Sequence, residues 1–116
     1  MRKTFDAELQ ELGAEMIDMA AAAEDAIDVV TASLISNDER AAHNAIDMTR
    51  SMDRMERDIE NRCLRLLLQQ QPVARDLRTI SAALKMVTDL QRIGDHAVNI
   101  AQWAIYCVTG ELSAST

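Results

Sequence analysis

The sequence has few of the residues that end helices or form turns. Its 116 residues include only three glycines, one proline and three aromatic side chains, one each of Trp, Tyr and Phe. Alanine, leucine, methionine, glutamate, arginine and glutamine are plentiful, and these residues have high helix propensity. The composition therefore predicts a single all-α domain and argues against a turn-rich β-sheet fold.

Long apolar runs and an excess of positive charge are also lacking. No uncharged stretch approaches the roughly 18 to 20 residues that a membrane helix needs, and residues 1–11 contain no apolar signal-peptide core. Twelve basic and nineteen acidic residues leave a formal charge of -7, which repels nucleic acid and anionic lipid head groups. We therefore expect a cytoplasmic protein with no nucleic-acid partner and no membrane insertion.

Cysteine is scarce, and its spacing argues against a cysteine-based site. Cys63 and Cys107 lie far apart in apolar helical patterns without a CxxC spacing, so buried and reduced thiols are expected. A glycine-rich phosphate loop, a GxSxG turn and a histidine within one helical turn of either cysteine are all missing from the sequence. No catalytic residue is predicted, and we expect that the protein is not an enzyme.

Apolar residues recur at alternating spacings of three and four in three long segments, a pattern typical of helices that pack nearly parallel to their neighbours. The first predicted helix covers about 3–35, and the second ends near Gln70. The third covers about 72–108 and is closed by Gly110, which can adopt a left-handed conformation. Long helices joined by short turns predict an antiparallel up-down-up three-helix bundle over residues 1–110, followed by a flexible tail over 111–116.

Polar side chains collect outside the apolar faces of the second and third predicted helices. The apolar arc of the third helix is expected to contain Leu90, Ile93, Ala97, Ile100, Ala101 and Ala104. Beside that arc lies a polar strip of Gln91, Arg92, Asp95 and Asn99. The second helix has a strip of Asp53, Glu56 and Glu60, with Thr49 one turn before Asp53. Carboxylates on neighbouring helices can bind hard cations, and solvated pairs with nearby arginines are the alternative interpretation.

Gly94 stands in the middle of the third predicted helix, where glycine costs about 1 kcal/mol relative to alanine. We expect that the missing side chain permits the close approach of another helix.

Two specific strings in the sequence, QPVARDLR at 71–78 and RIGDHAVNIA at 92–101, together with Arg2, Phe5 and Leu9 near the start, resemble the PhoU family. The resemblance covers residues 1 to about 111, and family members typically have two such repeats, of which this chain resembles the first. It implies a cytoplasmic negative regulator of phosphate transport and phosphate-starvation signalling. The implied partners are the ATPase subunit of the phosphate ABC transporter and a sensor histidine kinase.

Some members of that family bind metal clusters through paired E(D)xxxD motifs on helices two and three. The second acidic positions are retained here as Asp53 and Asp95, but the first positions are the neutral Thr49 and Gln91. The resemblance therefore makes Asp53 and Asp95 the main candidate ligands, and it implies only weak binding of a divalent or ferric ion, with no certain cofactor.

Further candidate residues lie beside these two positions. The additional candidate metal ligands are Glu56, Asp89 and Gln91, and the candidate partner-binding residues are Arg92 and Asn99. The alternative functions are a metal-binding or storage bundle that uses the acidic residues of helices two and three, and a purely structural coiled-coil adaptor. Because a single repeat leaves apolar seams uncovered, a homo-oligomer is also expected.

Overall fold

Three long α-helices make up the computed structural model, which describes residues 2–69 and 72–110. Helix α1 spans Arg2–Ser36, α2 spans Glu39–Leu68 and α3 spans Ala74–Thr109. Each helix packs against the other two in a bundle about 57 Å long and 21 Å by 17 Å across. The beginnings of α1 and α3 are in contact, so α1 and α3 run in one direction and α2 in the other. The predicted up-down-up bundle is confirmed.

The helix ends follow the predicted breaks closely. Asn37 adopts a left-handed conformation with φ of 52°, and the Asp38 carboxylate caps α2 by accepting a hydrogen bond from the Ala41 N–H at 3.2 Å. Gly110 closes α3 with φ of 77°, and its N–H donates to the Tyr106 carbonyl at 2.7 Å. Helix α3 begins at Ala74 rather than at Pro72, because the intervening Val73 is extended and serves as the N-cap. The predicted tail over 111–116 lies outside the described residues.

The core is one continuous seam between the three helices, and its character changes along the bundle. The half near the α2–α3 turn contains larger buried side chains, namely Phe5, Leu12, Met19, Met52, Ile59, Cys63, Leu66, Ile80 and Val87. The other half is rich in alanine, with Ala26, Ala42, Ala45, Ala97, Ala101 and Ala104 buried. Small side chains allow the helix backbones to approach one another at that end.

The sequence analysis placed three residues of α3 in the core that are in fact exposed: Ile93, Ile100 and Cys107. These residues are spaced seven apart, and Ile93 and Ile100 each come one residue before a buried position, Gly94 and Ala101. Successive residues of an α-helix are rotated by about 100°, so a residue next to a buried position points away from the core. Of the two cysteines, only Cys63 is buried as predicted, and burial raises the pKa of its thiol.

The Met52 side chain of α2 packs directly against Gly94 of α3. A Cβ atom at Gly94 would lie only 3.1 Å from the sulfur of Met52 and 3.3 Å from its terminal methyl carbon. These distances are shorter than ordinary van der Waals contacts, so the space that a side chain would need at this position is already filled by Met52.

A buried carboxylate joins the beginnings of α1 and α3. Asp76 is only 2% exposed, and its two oxygens accept hydrogen bonds from the Arg2 guanidinium at 2.8 and 3.1 Å. Its Oδ2 also accepts from the Val73 N–H at 3.2 Å, which satisfies an unpaired donor at the beginning of α3. The hydrogen bond from Arg2 is the largest cause that holds the pKa of Asp76 below its ordinary value. The acidic residue of QPVARDLR therefore has a structural role that the sequence analysis missed.

We expect Asp76→Asn to lower the midpoint of thermal unfolding at pH 7, because the variant loses the charged pair with Arg2. The folded pKa of Asp76 lies below the unfolded value, so the pair stabilises the protein above the unfolded pKa and loses this effect as pH falls through the folded pKa. Circular dichroism melts should show the difference between variant and wild type shrinking as pH falls below about 4. The control is Asp89→Asn, which removes an exposed pair with Lys85 and should change little. An equal effect of both substitutions would contradict this role.

Candidate functional site

The outer side of the α2–α3 pair brings together two of the predicted site residues. The side-chain amide of Gln91 on α3 donates a hydrogen bond to Oδ1 of Asp53 on α2 at 2.7 Å. The carbonyl oxygen of the same Gln91 side chain is buried and has no hydrogen-bond partner. Both residues lie next to the contact between Met52 and Gly94, because Asp53 follows Met52 and Gln91 comes three residues before Gly94.

Four carboxylates lie around this contact, and three of them act on the fourth, Glu56. The pKa of Glu56 is raised, first by partial burial and then by the negative charges of Glu60, Asp53 and Asp95, while Arg57 acts weakly in the opposite direction. We call Asp53, Glu56, Glu60 and Asp95 the acidic face. Among residues 2–69 and 72–110, none of these four carboxylates has a basic nitrogen within ion-pair distance. The acidic face therefore has an excess of negative charge that no ion pair within the described residues neutralises.

Thr49, the first position of the motif on α2, donates its hydrogen bond within its own helix. It is largely buried, and its hydroxyl donates to the Ile46 carbonyl of its own helix at 2.7 Å. The hydroxyl is thus occupied by the backbone rather than directed toward Asp53.

The remaining predicted residues are not joined to the Asp53–Gln91 contact. Asp89 pairs with Lys85 on its own helix at 3.7 Å, and it lies two residues before Gln91, about 200° around α3. Arg92 and Asn99 are exposed on α3. Their assignment to partner binding stays a prediction.

A metal ion fits this arrangement poorly. In the described part of the chain, no group of three or more His, Cys, Asp or Glu side chains has a geometry that could hold a metal ion. The N–H of Gln91 already occupies the Asp53 oxygen, so a cation there would have to displace it. The assignment of the five candidate metal ligands stays a prediction.

A second polar cluster between α1 and α2 was missed by the sequence analysis. Arg62 on α2 pairs with both Glu8 and Glu15 on α1, and its pKa is raised chiefly by the hydrogen bond to Glu15. A shallow cavity of about 220 Å³ lies beside it, lined by Glu15, Asp18, Met55 and Asp58. The seven-residue spacing of the two glutamates was the available signal, since it places both on one side of α1. Because Arg62 neutralises much of the charge of the two glutamates, this cluster stabilises the packing of α1 against α2.

The fold and the site define an acidic three-helix bundle with an open carboxylate face. The PhoU domain model matches residues 16–104, so the chain belongs to the PhoU family. No helix within 2–69 or 74–109 is long and apolar enough to cross a membrane.

Several known proteins are similar over most of this chain. The phosphate-specific transport system accessory protein PhoU homolog of Clostridium acetobutylicum is 44% identical, over 95% of this chain and 50% of the relative. The protein of the same name from Aquifex aeolicus is 42% identical, over 84% of this chain and 44% of the relative. The crystal structure of PhoU from Pseudomonas aeruginosa superimposes with a TM-score of 0.87 at 36% identity, over 92% of this chain and 52% of that one. The chain thus spans about half the length of these relatives.

The neutral residue at position 91 gives a direct test of the charge balance on this face. We expect Gln91→Glu to lower the midpoint of thermal unfolding at pH 7 and low salt, because it replaces a hydrogen bond to Asp53 with repulsion. Millimolar Mg²⁺ or Mn²⁺ should restore the variant, whereas dialysed wild type should hold metal only weakly and below one ion per chain. The control is Asn99→Glu, which adds the same charge eight residues along α3. Equal behaviour of the two variants, or several tightly held metal ions in the wild type by elemental analysis, would contradict this interpretation.

Proposed function

We propose that this chain is a cytoplasmic negative regulator of phosphate transport and phosphate-starvation signalling that acts by binding other proteins. Its proposed partners are the ATPase subunit of a phosphate ABC transporter and a sensor histidine kinase. The observation that carries the proposal is the match to the PhoU domain over 16–104, together with relatives that are named phosphate-specific transport system accessory proteins.

Binding rather than catalysis is supported by the character of the acidic face. Its carboxylates lie on long, rigid helices, and unneutralised charge on such a surface chiefly determines encounter rate and partner choice. The buried Cys63 has a raised pKa, which disfavours the thiolate needed for nucleophilic attack. We therefore assign the protein a regulatory role and no enzymatic one.

The experiment measures association of the purified chain with the cytosolic transporter subunit and with the cytosolic part of the kinase. Asp53→Lys and Asp95→Lys should slow association and weaken its dependence on salt, because both reverse charge on the acidic face. Asp28→Lys is the matched control, since it reverses an exposed aspartate on α1. Helix content should be checked first by circular dichroism.

Tight binding that is unaffected by both reversals would remove the acidic face as the contact surface. Failure to bind either partner would contradict the regulatory assignment itself. The alternative of a metal-binding or storage bundle would instead gain support from stoichiometric metal in the purified protein, and the hydrogen bond from Gln91 to Asp53 argues against it.

We further propose that a second three-helix bundle covers exposed apolar residues of α1 and α3. Met86, Ile93 and Ile100 are exposed at seven-residue spacing along α3, and Trp103 and Ile17 are also exposed. An apolar stripe of this kind commonly marks an interface.

The isolated chain should accordingly self-associate at high micromolar concentration. Analytical ultracentrifugation should show weaker association for the double variant Met86→Ser with Ile93→Ser, and unchanged association for Ile35→Ser. A strictly monomeric wild type would contradict this proposal.

A further inference from the structure

A group of exposed apolar side chains lies at the end of the α2–α3 pair, beside the turn that joins the two helices. Its members are Leu64, Leu67 and Leu68 on α2, and Val73 and Leu77 at the beginning of α3. Leu64 is 54% exposed and Leu68 is 78% exposed. We call these five residues the leucine end. Single exposed apolar residues are ordinary, but a contiguous group at one end of a bundle is typical of an interaction site.

The leucine end and the acidic face belong to the same side of the molecule. On α2, Asp53, Glu60 and Leu67 are spaced seven residues apart, so they lie along one line of the helix. On α3, Leu77 and Gln91 are fourteen residues apart and lie along a matching line. The hydrogen bond between Gln91 and Asp53 fixes the two lines beside each other. One elongated face thus runs from an apolar end to an acidic end.

The dimensions of this face suit a helix. Leu67 and Asp53 are fourteen residues apart, which corresponds to about 21 Å at about 1.5 Å per residue. A ligand that covers both ends needs about four helical turns. Two lines of side chains, one from each helix, offer a surface on which an amphipathic helix can pack.

The charge of the face indicates what the ligand must carry. The four carboxylates of the acidic face have no ion-pair partner among the described residues. Partial burial is the main cause of the raised pKa of Glu56, and the negative charges of Glu60, Asp53 and Asp95 add to it, so a neighbouring cation would relieve that second contribution. An anionic membrane surface is disfavoured, because the leucine end adjoins this negative charge and the chain carries -7 in total. A complementary ligand is apolar where the leucines lie and basic where the carboxylates lie.

We propose that the α2–α3 face binds one amphipathic helix of a partner protein, whose apolar end packs on the leucine end and whose lysine or arginine residues pair with the acidic face. The inference rests on the proposed regulatory function and specifies the chemistry of the partner segment. Exposed leucines supply contact area, and the carboxylates select for positive charge and reject acidic helices.

The test uses a fluorescent 18-residue helical peptide with leucines on one face of its first two turns and lysines on the same face of its last two. Fluorescence anisotropy should show binding to the wild-type chain that weakens as salt is raised. The double variant Leu64→Ser with Leu68→Ser should bind at least about tenfold more weakly, because it loses two apolar contacts. A peptide with glutamate in place of the lysines should bind weakly to both proteins.

Ile35→Ser is the matched control variant, since Ile35 is an apolar residue of α1 that is 80% exposed and lies at the opposite end of the bundle. It should leave peptide binding unchanged. Circular dichroism should first establish that the leucine variants keep the wild-type helix content, which is expected because both side chains are exposed.

The proposal is overturned if the lysine peptide does not bind, if the leucine variants bind it as well as the wild type, or if the glutamate peptide binds equally. Binding to phosphatidylglycerol vesicles in preference to the peptide would assign the leucine end to a membrane and would also overturn it.

The transporter subunit and the kinase are then tested with the same variants. Peptide binding without partner binding would refute the proposed function alone, whereas partner binding that is insensitive to the leucine variants would refute only this docking face.

Discussion

The packing of Met52 on α2 against Gly94 on α3 is the constraint on which the site depends. Because Gly94 has no side chain, the sulfur of Met52 can lie only 3.1 Å from the position that a Cβ atom would take. Asp53 and Asp95 directly follow these two residues, so the contact that brings the helices together also brings the two carboxylates to the same level. The side-chain amide of Gln91 on α3 donates a hydrogen bond to Asp53 on α2 at this position. Packing in the core and charge on the surface are therefore coupled at one position along the bundle.

The helices, their ends and the family could all be predicted from the sequence, because each depends on local signals. Apolar spacing and Gly110 act within a few residues, and each family string is a short continuous segment. The rotation of α3 about its own axis, which decides which of its residues are buried, was harder to predict. An apolar arc drawn on a regular wheel includes Ile93 and Ile100, whereas the packed helix buries Gly94 and Ala101 beside them. A wheel drawn from one helix cannot show how far the neighbouring helices extend around it, so Ile93 and Ile100 were included although they are exposed.

Contacts between residues far apart in the sequence could not be predicted, for a different reason. Asp76 would ordinarily be assigned to the surface, because buried acids are rare without a partner, and its partner Arg2 is 74 residues away. Gln91 and Asp53 are 38 residues apart, and their hydrogen bond depends on the rotation of two helices about their axes. The family pattern identified Asp53 and Asp95 as a pair, but the role of Gln91 as a hydrogen-bond donor is visible only in three dimensions.

The central claim is that the α2–α3 side of the bundle, from the leucine end to the acidic face, is the surface through which this PhoU-family chain binds a partner. Hydrogen–deuterium exchange tests it most directly, with the chain measured alone and with the cytosolic transporter subunit or kinase domain. The account predicts that added protection concentrates in residues 53–68 of α2 and 74–95 of α3, with little change over α1. Protection confined to α1, or no change with either partner, would contradict it.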